Sequence, residues 1–243
     1  MTLPVRLLLA FALTHLVFAT VPEIDIWVSA LFFDGTSFPL IESPALSHVR
    51  YTLWYGSVFV GVVAVLLWPL WFLAGPGRRM PPRLWGFVGL TFLLGPGLLV
   101  SEILKEYWGR ARPADVTAFG GEEAFTPPFQ ITDGCDRNCS FVSGEGAATS
   151  AFAIVVGVLA WPHLGCRGRW LLVTLLALWA STASGLRVAT GRHYLSDVVF
   201  AALIVAFVAL GLFRLLRIEH ARPEFTPANL RSDLRLIARR LRL

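Results

Sequence analysis

The sequence predicts an all-α polytopic membrane protein with six transmembrane helices, and three observations predict it. Hydrophobic residues make up 56% of the 243 and charged residues only 15%, against roughly 25% charged in soluble domains. The apolar residues gather into blocks long enough to cross a bilayer core, which takes about 20 helical residues. The connecting loops alternate in charge, as a chain that crosses and recrosses a membrane requires.

The blocks fall at about 3–21, 52–74, 84–104, 143–162, 170–187 and 196–216. The first reads as a retained span rather than a signal peptide, because Arg6 is its lone basic residue and no small-x-small cleavage site precedes Glu23. EIDIWVSALFF (23–33) is too short to span, and Trp27, Phe32 and Phe33 suggest a helix lying in the outer interface. In the third block Pro96 is expected to kink the helix. The tail 226–243 begins with Thr226 as an N-cap and Pro227 in the first turn, and sets Leu230, Leu234, Ile237 and Leu241 on one face among arginines. It reads as a basic amphipathic helix on the cytoplasmic side whose partners are anionic inner-leaflet lipids. The chain thus divides into a six-span membrane domain (1–221) and a cytoplasmic tail (222–243).

Charge sets the orientation. The loop 75–83 carries Arg78, Arg79 and Arg83 with no acid, the loop after the fourth block carries Arg167 and Arg169, and the tail carries eight arginines from Arg214 to Arg242. Glu23, Asp25, Asp34, Glu42, Glu106, Asp115, Glu122, Glu123, Asp133 and Asp136 lie on the other side. Basic loops mark the cytoplasm, so both termini are expected inside. The net charge of +5 is accounted for by the tail and calls for no nucleic acid. Cys135 and Cys139 fall in an outer loop, where a disulfide between them is expected, two free thiols being the alternative. Cys166 lies on the reducing side and reads as an ordinary thiol.

Ionisable residues at membrane depth are functional candidates, and three polar clusters sit at outer helix ends. In KEYWGRARP (105–113), Lys105 and Arg112 are two helical turns apart and would share a face if the helix persisted. Two such cations can hold the oxygens of one phosphate, although they can equally be a snorkelling pair. In CSFVSGEGAATS (139–150), Ser143 and Gly144 offer a hydroxyl and free N–H groups at a helix start, where an anion is favoured or where a serine merely caps. In GLRVATGRHYLSDV (185–198), Arg187 precedes His193 and Asp197 follows it by four, a spacing that puts a carboxylate beside the imidazole if 193–197 is helical. Such a carboxylate fixes the tautomer and frees the other nitrogen to attack. His15, His48, His163 and His220 lack such company, and no residues have metal-ligand spacing, so neither metal nor other cofactor is expected.

In this order, Lys105-x6-Arg112-Pro113, Ser143-Gly144 and Arg187-x5-His193-x3-Asp197 resemble the three signature motifs of the type 2 phosphatidic acid phosphatase (PAP2) family, over the third to sixth blocks. The resemblance implies a metal-independent membrane lipid phosphatase. His193 would be the nucleophile that forms a phosphohistidine and Asp197 its orienting partner. Lys105, Arg112, Arg187, Ser143 and Gly144 would bind the phosphoryl group. The loop charges put the three motifs on the outer side, and the compact chain reads as bacterial, so a bacterial inner membrane protein with its site on the periplasmic face is expected. A lipid A-type outer-leaflet lipid phosphate is the expected substrate. The alternatives are undecaprenyl diphosphate or phosphatidylglycerophosphate, and, outside enzymes, a lipid-phosphate-binding or transport protein that has lost catalysis.

Two residues depart from the pattern. Leu186 stands where the third motif usually has serine, and Glu145 stands where the second has the histidine that protonates the leaving group. Three roles for Glu145 follow: general acid and then base, a carboxylate holding a substrate cation or pairing with Arg110 or Arg192, or the mark of a retired site.

Overall fold

The computed structural model describes residues 2–241, and the tail residues Arg242 and Leu243 lie outside them. Among the described residues six helices are long and apolar enough to cross a membrane. They are α1 (Leu3–Thr20), α3 (Pro44–Leu73), α4 (Arg83–Tyr107), α5 (Gly144–Ala160), α6 (Cys166–Ala189) and α7 (Leu195–Leu215); α2 (Ile24–Ala30) and α8 (Pro227–Arg240) are shorter helices beside them.

The organiser is α5. Its outer half, GEGAATSA, carries almost no side-chain bulk, and Gly146, Ala147, Ala148, Thr149, Ser150 and Ala151 are all buried. Small residues let helix backbones approach closely, the usual way that spans pack where no water drives association. Accordingly α3, α4, α6 and α7 all pack on α5, whereas α1 leans mainly on α7 and leaves most of its surface to lipid.

Two spans differ from the sequence expectation. Helix α3 begins at Pro44, eight residues before the apolar block, because Ser43 caps it by accepting the Leu46 N–H at 3.4 Å and Pro44 sits at the first turn. That extra length brings Arg50 to the outer end of a span. Helix α4 opens into wide π turns over Leu93–Leu104 around Pro96, which has no N–H to give to the preceding turn, and Ser101 Oγ donates to the Pro96 carbonyl at 2.8 Å.

The segment 23–33 forms α2, but it is not purely an interfacial anchor. Trp27 is exposed, whereas Phe33 packs against Phe38 and Phe119 at ring distances of 5.3 and 5.2 Å, and Asp25 and Ser29 are buried. On the opposite face α8 is held by Asp233, whose carboxylate accepts the Arg79 and Met80 N–H groups, each at 2.8 Å. Asp233 and Ile237 therefore face protein, and Leu234 and Leu241 of the expected apolar stripe face outward with Arg231, Arg235 and Arg239.

Candidate active site

The three polar clusters converge at the outer ends of α4, α5, α6 and α7. The geometry that unites them is not the regular helix their spacing suggested. Helix α4 stops at Tyr107, and the chain turns at Gly109, whose φ of +71° suits glycine. A Cβ there would come within 1.6 Å of the Thr132 carbonyl oxygen, so no other residue fits this turn. Beyond it residues 110–112 run beside 138–140: Ser140 N–H donates to the Arg110 carbonyl at 2.9 Å, and Cys139 N–H to that of Lys105 at 2.9 Å. A disulfide joins Cys135 to Cys139 next to this pairing, while Cys166 is an exposed free thiol. Lys105 and Arg112 thus reach one cavity through a turned chain rather than along one helix face.

The third cluster differs in the same way. Helix α6 ends at Ala189, Gly191 (φ +65°) reverses the chain, and the N–H groups of Arg192 and His193 return to the Arg187 carbonyl at 3.1 and 3.2 Å. His193 lies before α7, and Asp197 is in its first turn. The imidazole and carboxylate meet because Asp197 Oδ2 caps α7 by accepting the Tyr194 N–H (2.9 Å), which holds it 3.5 Å from His193 Nδ1. The closer acceptor for Nδ1 is the Ser140 carbonyl oxygen, at 2.7 Å. Both acceptors are on the same nitrogen, so Nδ1 carries the hydrogen and Nε2 holds the lone pair. Burial, outweighing the hydrogen bond to Asp197 and helped by Arg187, pushes the imidazole down to about 3. His193 is therefore neutral at any ordinary pH.

Asp197 is held by a cluster the sequence did not reveal. Arg110, fully buried, donates from Nη1 to Asp197 Oδ1 (2.6 Å) and to Ser196 Oγ (2.9 Å), from Nη2 to Asp25 Oδ2 (2.8 Å) and from Nε to the Thr126 carbonyl (2.9 Å). The ring of Tyr194 lies 4.1 Å from the guanidinium. Burial alone would lower the Arg110 pKa, but Asp197 and Asp25 hold it above its usual range. Ser140 Oγ donates to the second oxygen of Asp197.

In front of His193 lies a cavity of about 1040 Å³. Its outer end is lined by Arg50, Lys105, Arg112, Arg187, Arg192 and Glu145, with Gly144 at the start of α5. Its walls then run between α3 and α4 and become apolar, with Val58, Val62, Leu66, Phe92 and Leu93. Ser143 caps α5 by accepting the Gly146 N–H at 3.2 Å, and a Cβ on Gly144 would lie 3.9 Å from Lys105 Nζ, so the lysine stands over the helix N-terminus. A helix start flanked by cations is a site for an anion.

Glu145 is paired, but not with Arg110 or Arg192. One oxygen, Oε1, lies 3.1 Å from Arg50 Nη1 and 3.6 Å from Arg187 Nη1. The other, Oε2, is buried and has no hydrogen-bond partner among the described residues. Arg50 was missed because it reads as loop, ahead of the apolar block. The Ser43-Pro44 start was the available signal that the helix includes it. Asp25 and Arg110 carried no local signal, being 85 and 87 positions from their partners.

The profile of the PAP2 superfamily matches residues 84–220. The chain is 35% identical over 219 residues to the lipid A 4'-phosphatase of Rhizobium etli, covering 80% of each chain. It is 33% identical to that of Rhizobium leguminosarum over 218 residues (80% of this chain, 88% of that protein). It is 29% identical to that of Francisella tularensis subsp. novicida over 191 residues (77% of this chain, 84% of that protein). No solved structure matches it.

Proposed function

The chain belongs to the PAP2 superfamily, and on that premise we propose that this membrane phosphatase hydrolyses a phosphate monoester of a lipid A-type lipid of the outer leaflet, with His193 as nucleophile. The observation that carries the mechanism is the pair of acceptors on His193 Nδ1, which leaves Nε2 as the attacking atom. The substrate reading rests on the named relatives. It is supported by a cavity with cations at one end and apolar walls between two spans at the other, the two chemistries of a lipid phosphate.

Lys105, Arg112 and Arg187, with the Gly144 amide and the Ser143 hydroxyl, hold the phosphoryl oxygens, so that catalysis is mostly positioning and charge stabilisation. Nε2 forms a bond to phosphorus as the bond to the sugar oxygen breaks. Glu145 gives that oxygen a proton from Oε2, the oxygen its arginines leave unoccupied. In the second step the same oxygen takes a proton from the water that hydrolyses the phosphohistidine, and the cycle closes with the carboxyl restored. Asp197 stays ionised behind the imidazole, held by Arg110.

The site faces the periplasm and both termini face the cytoplasm of a bacterial inner membrane, because the arginine-rich loops lie opposite the site. On that inner face Arg231, Arg235 and Arg239 line one groove of α8, which suits anionic headgroups.

The test is phosphate release from lipid A, undecaprenyl diphosphate, phosphatidylglycerophosphate and phosphatidic acid by purified protein with chelator present. Retention of label on the protein is followed in acid and in base. Release from lipid A, with base-stable and acid-labile label that disappears in His193→Ala, is the expected outcome. Undiminished turnover in His193→Ala would rule the nucleophile out.

A further inference from the structure

The matched family segment begins at residue 84, yet one of the groups that builds the site comes from residue 25. Asp25 sits on α2, a helix of seven residues at the outer interface, and is wholly buried. It accepts Arg110 Nη2 and the Ser196 N–H, each at 2.8 Å, and the Ser196 hydroxyl. A carboxylate that only holds a short helix in place has no call for three donors inside a buried cluster. Each of those donors belongs to a residue that also touches Asp197 or stands next to it in α7.

We infer that Asp25 is a positioning residue for phosphoryl transfer, acting on His193 through Arg110 and Asp197. The inference rests on the reading of His193 as nucleophile. Two physical effects carry it. Asp25 fixes the second edge of the Arg110 guanidinium, so that Nη1 has one place to stand and Asp197 has one orientation towards the imidazole. Asp25 also shares the charge of Arg110. One guanidinium serves both carboxylates, so less of its positive charge falls on Asp197 and on the Nδ1–H beyond it as the ring becomes cationic on bonding to phosphorus. The N-terminal segment, outside the family core, thereby completes the site.

The experiment compares kcat and KM for phosphate release from lipid A by the full chain, with Asp25→Asn, Arg110→Gln, the double variant, Ser196→Ala and His193→Ala side by side. Asp25→Asn is expected to lower kcat about 10- to 100-fold, the scale of a small misplacement at a reacting centre, with KM within about twofold. In the Arg110→Gln background the same change is expected to cost nothing further in kcat per folded molecule, because the link is already cut. Ser196→Ala, which changes no charge but removes the hydroxyl's bonds to Asp25 and Arg110, is expected to lower kcat about fivefold, the net scale of a hydrogen-bond loss. A structural anchor would instead lower the melting temperature and the yield of folded protein and leave kcat per folded molecule intact, and that result would overturn the inference. So would an equal loss from Asp25→Asn in both backgrounds, or full kcat in Ser196→Ala. If His193→Ala still turned over, the histidine reading itself would fall. An inactive His193→Ala beside an unimpaired Asp25→Asn would remove only the role of Asp25.

Discussion

The two sides of His193 are opposites. Behind it, Asp25, Arg110, Asp197, Ser140 and Ser196 are buried and every charge has a fixed partner at hydrogen-bond distance. In front of it, Arg50, Lys105, Arg112, Arg187 and Arg192 share one cavity with Glu145, so positive charge is in excess and one carboxylate oxygen is unpartnered. On the proposed reading of His193 as nucleophile, the rear cluster pre-organises the imidazole so that nothing there need move during reaction, whereas the front leaves its charge unspent until a phosphate arrives. A buried charge is tolerable only where it is matched, and a binding charge is useful only where it is not.

Breaking the rear cluster is expected to have the largest effect. Arg110→Gln leaves two carboxylates buried without a cation, which should cost about 3–5 kcal/mol of stability, read as a loss of folded protein in detergent as well as of turnover. Changing the front should spare the fold and strike the chemistry. Glu145→Gln is expected to lower kcat for lipid A about 10²-fold, the scale of general acid–base catalysis, with an unaltered melting temperature. An aryl phosphate with a good leaving group should narrow the gap, since its departure needs no proton. A Glu145→Gln enzyme with full activity on lipid A would remove the acid–base role.

The contrast also sets a pH dependence. His193 titrates near about 6.5 in an unfolded chain and is pushed down to about 3 by burial. Between those values the unfolded chain binds a proton that the folded one does not. Stability from this group is therefore full above about pH 6.5 and falls as the pH drops towards 3. His193→Gln should flatten that part of the stability profile, and an unchanged slope would show that another group sets it. The smallest effect belongs to the pair of exposed Arg137 and half-buried Glu106. Arg137→Ala should change stability by less than about 1 kcal/mol and leave kcat alone.

Apolar length and loop charge were enough to read the helical class, the six spans and their alternation from the sequence. The candidates Lys105, Arg112, Glu145, Arg187 and His193 also line one cavity as their motifs suggested. What failed was local geometry. A two-turn spacing placed Lys105 and Arg112 on one helix, but Gly109 ends that helix between them. An i, i+4 spacing placed His193 and Asp197 on another, but the histidine lies before it. Periodicity describes neighbours along the chain, and it has no access to the pairing of Asp25 with Arg110 or of Arg50 with Glu145, which are made across the fold.

Asp233 sits far from all of this, and its two bonds to the Arg79 and Met80 amides tie the tail to the short connection between α3 and α4. Trp71 of α3 and Trp85 of α4 pack at 4.9 Å close to the same end. The cavity lies between the outer halves of the same two helices. The pair therefore has the form of tweezers joined at the handle. Any opening of α3 from α4 would be widest at the tips, beside the cavity, and least at the end that Asp233 and the tryptophan pair hold together.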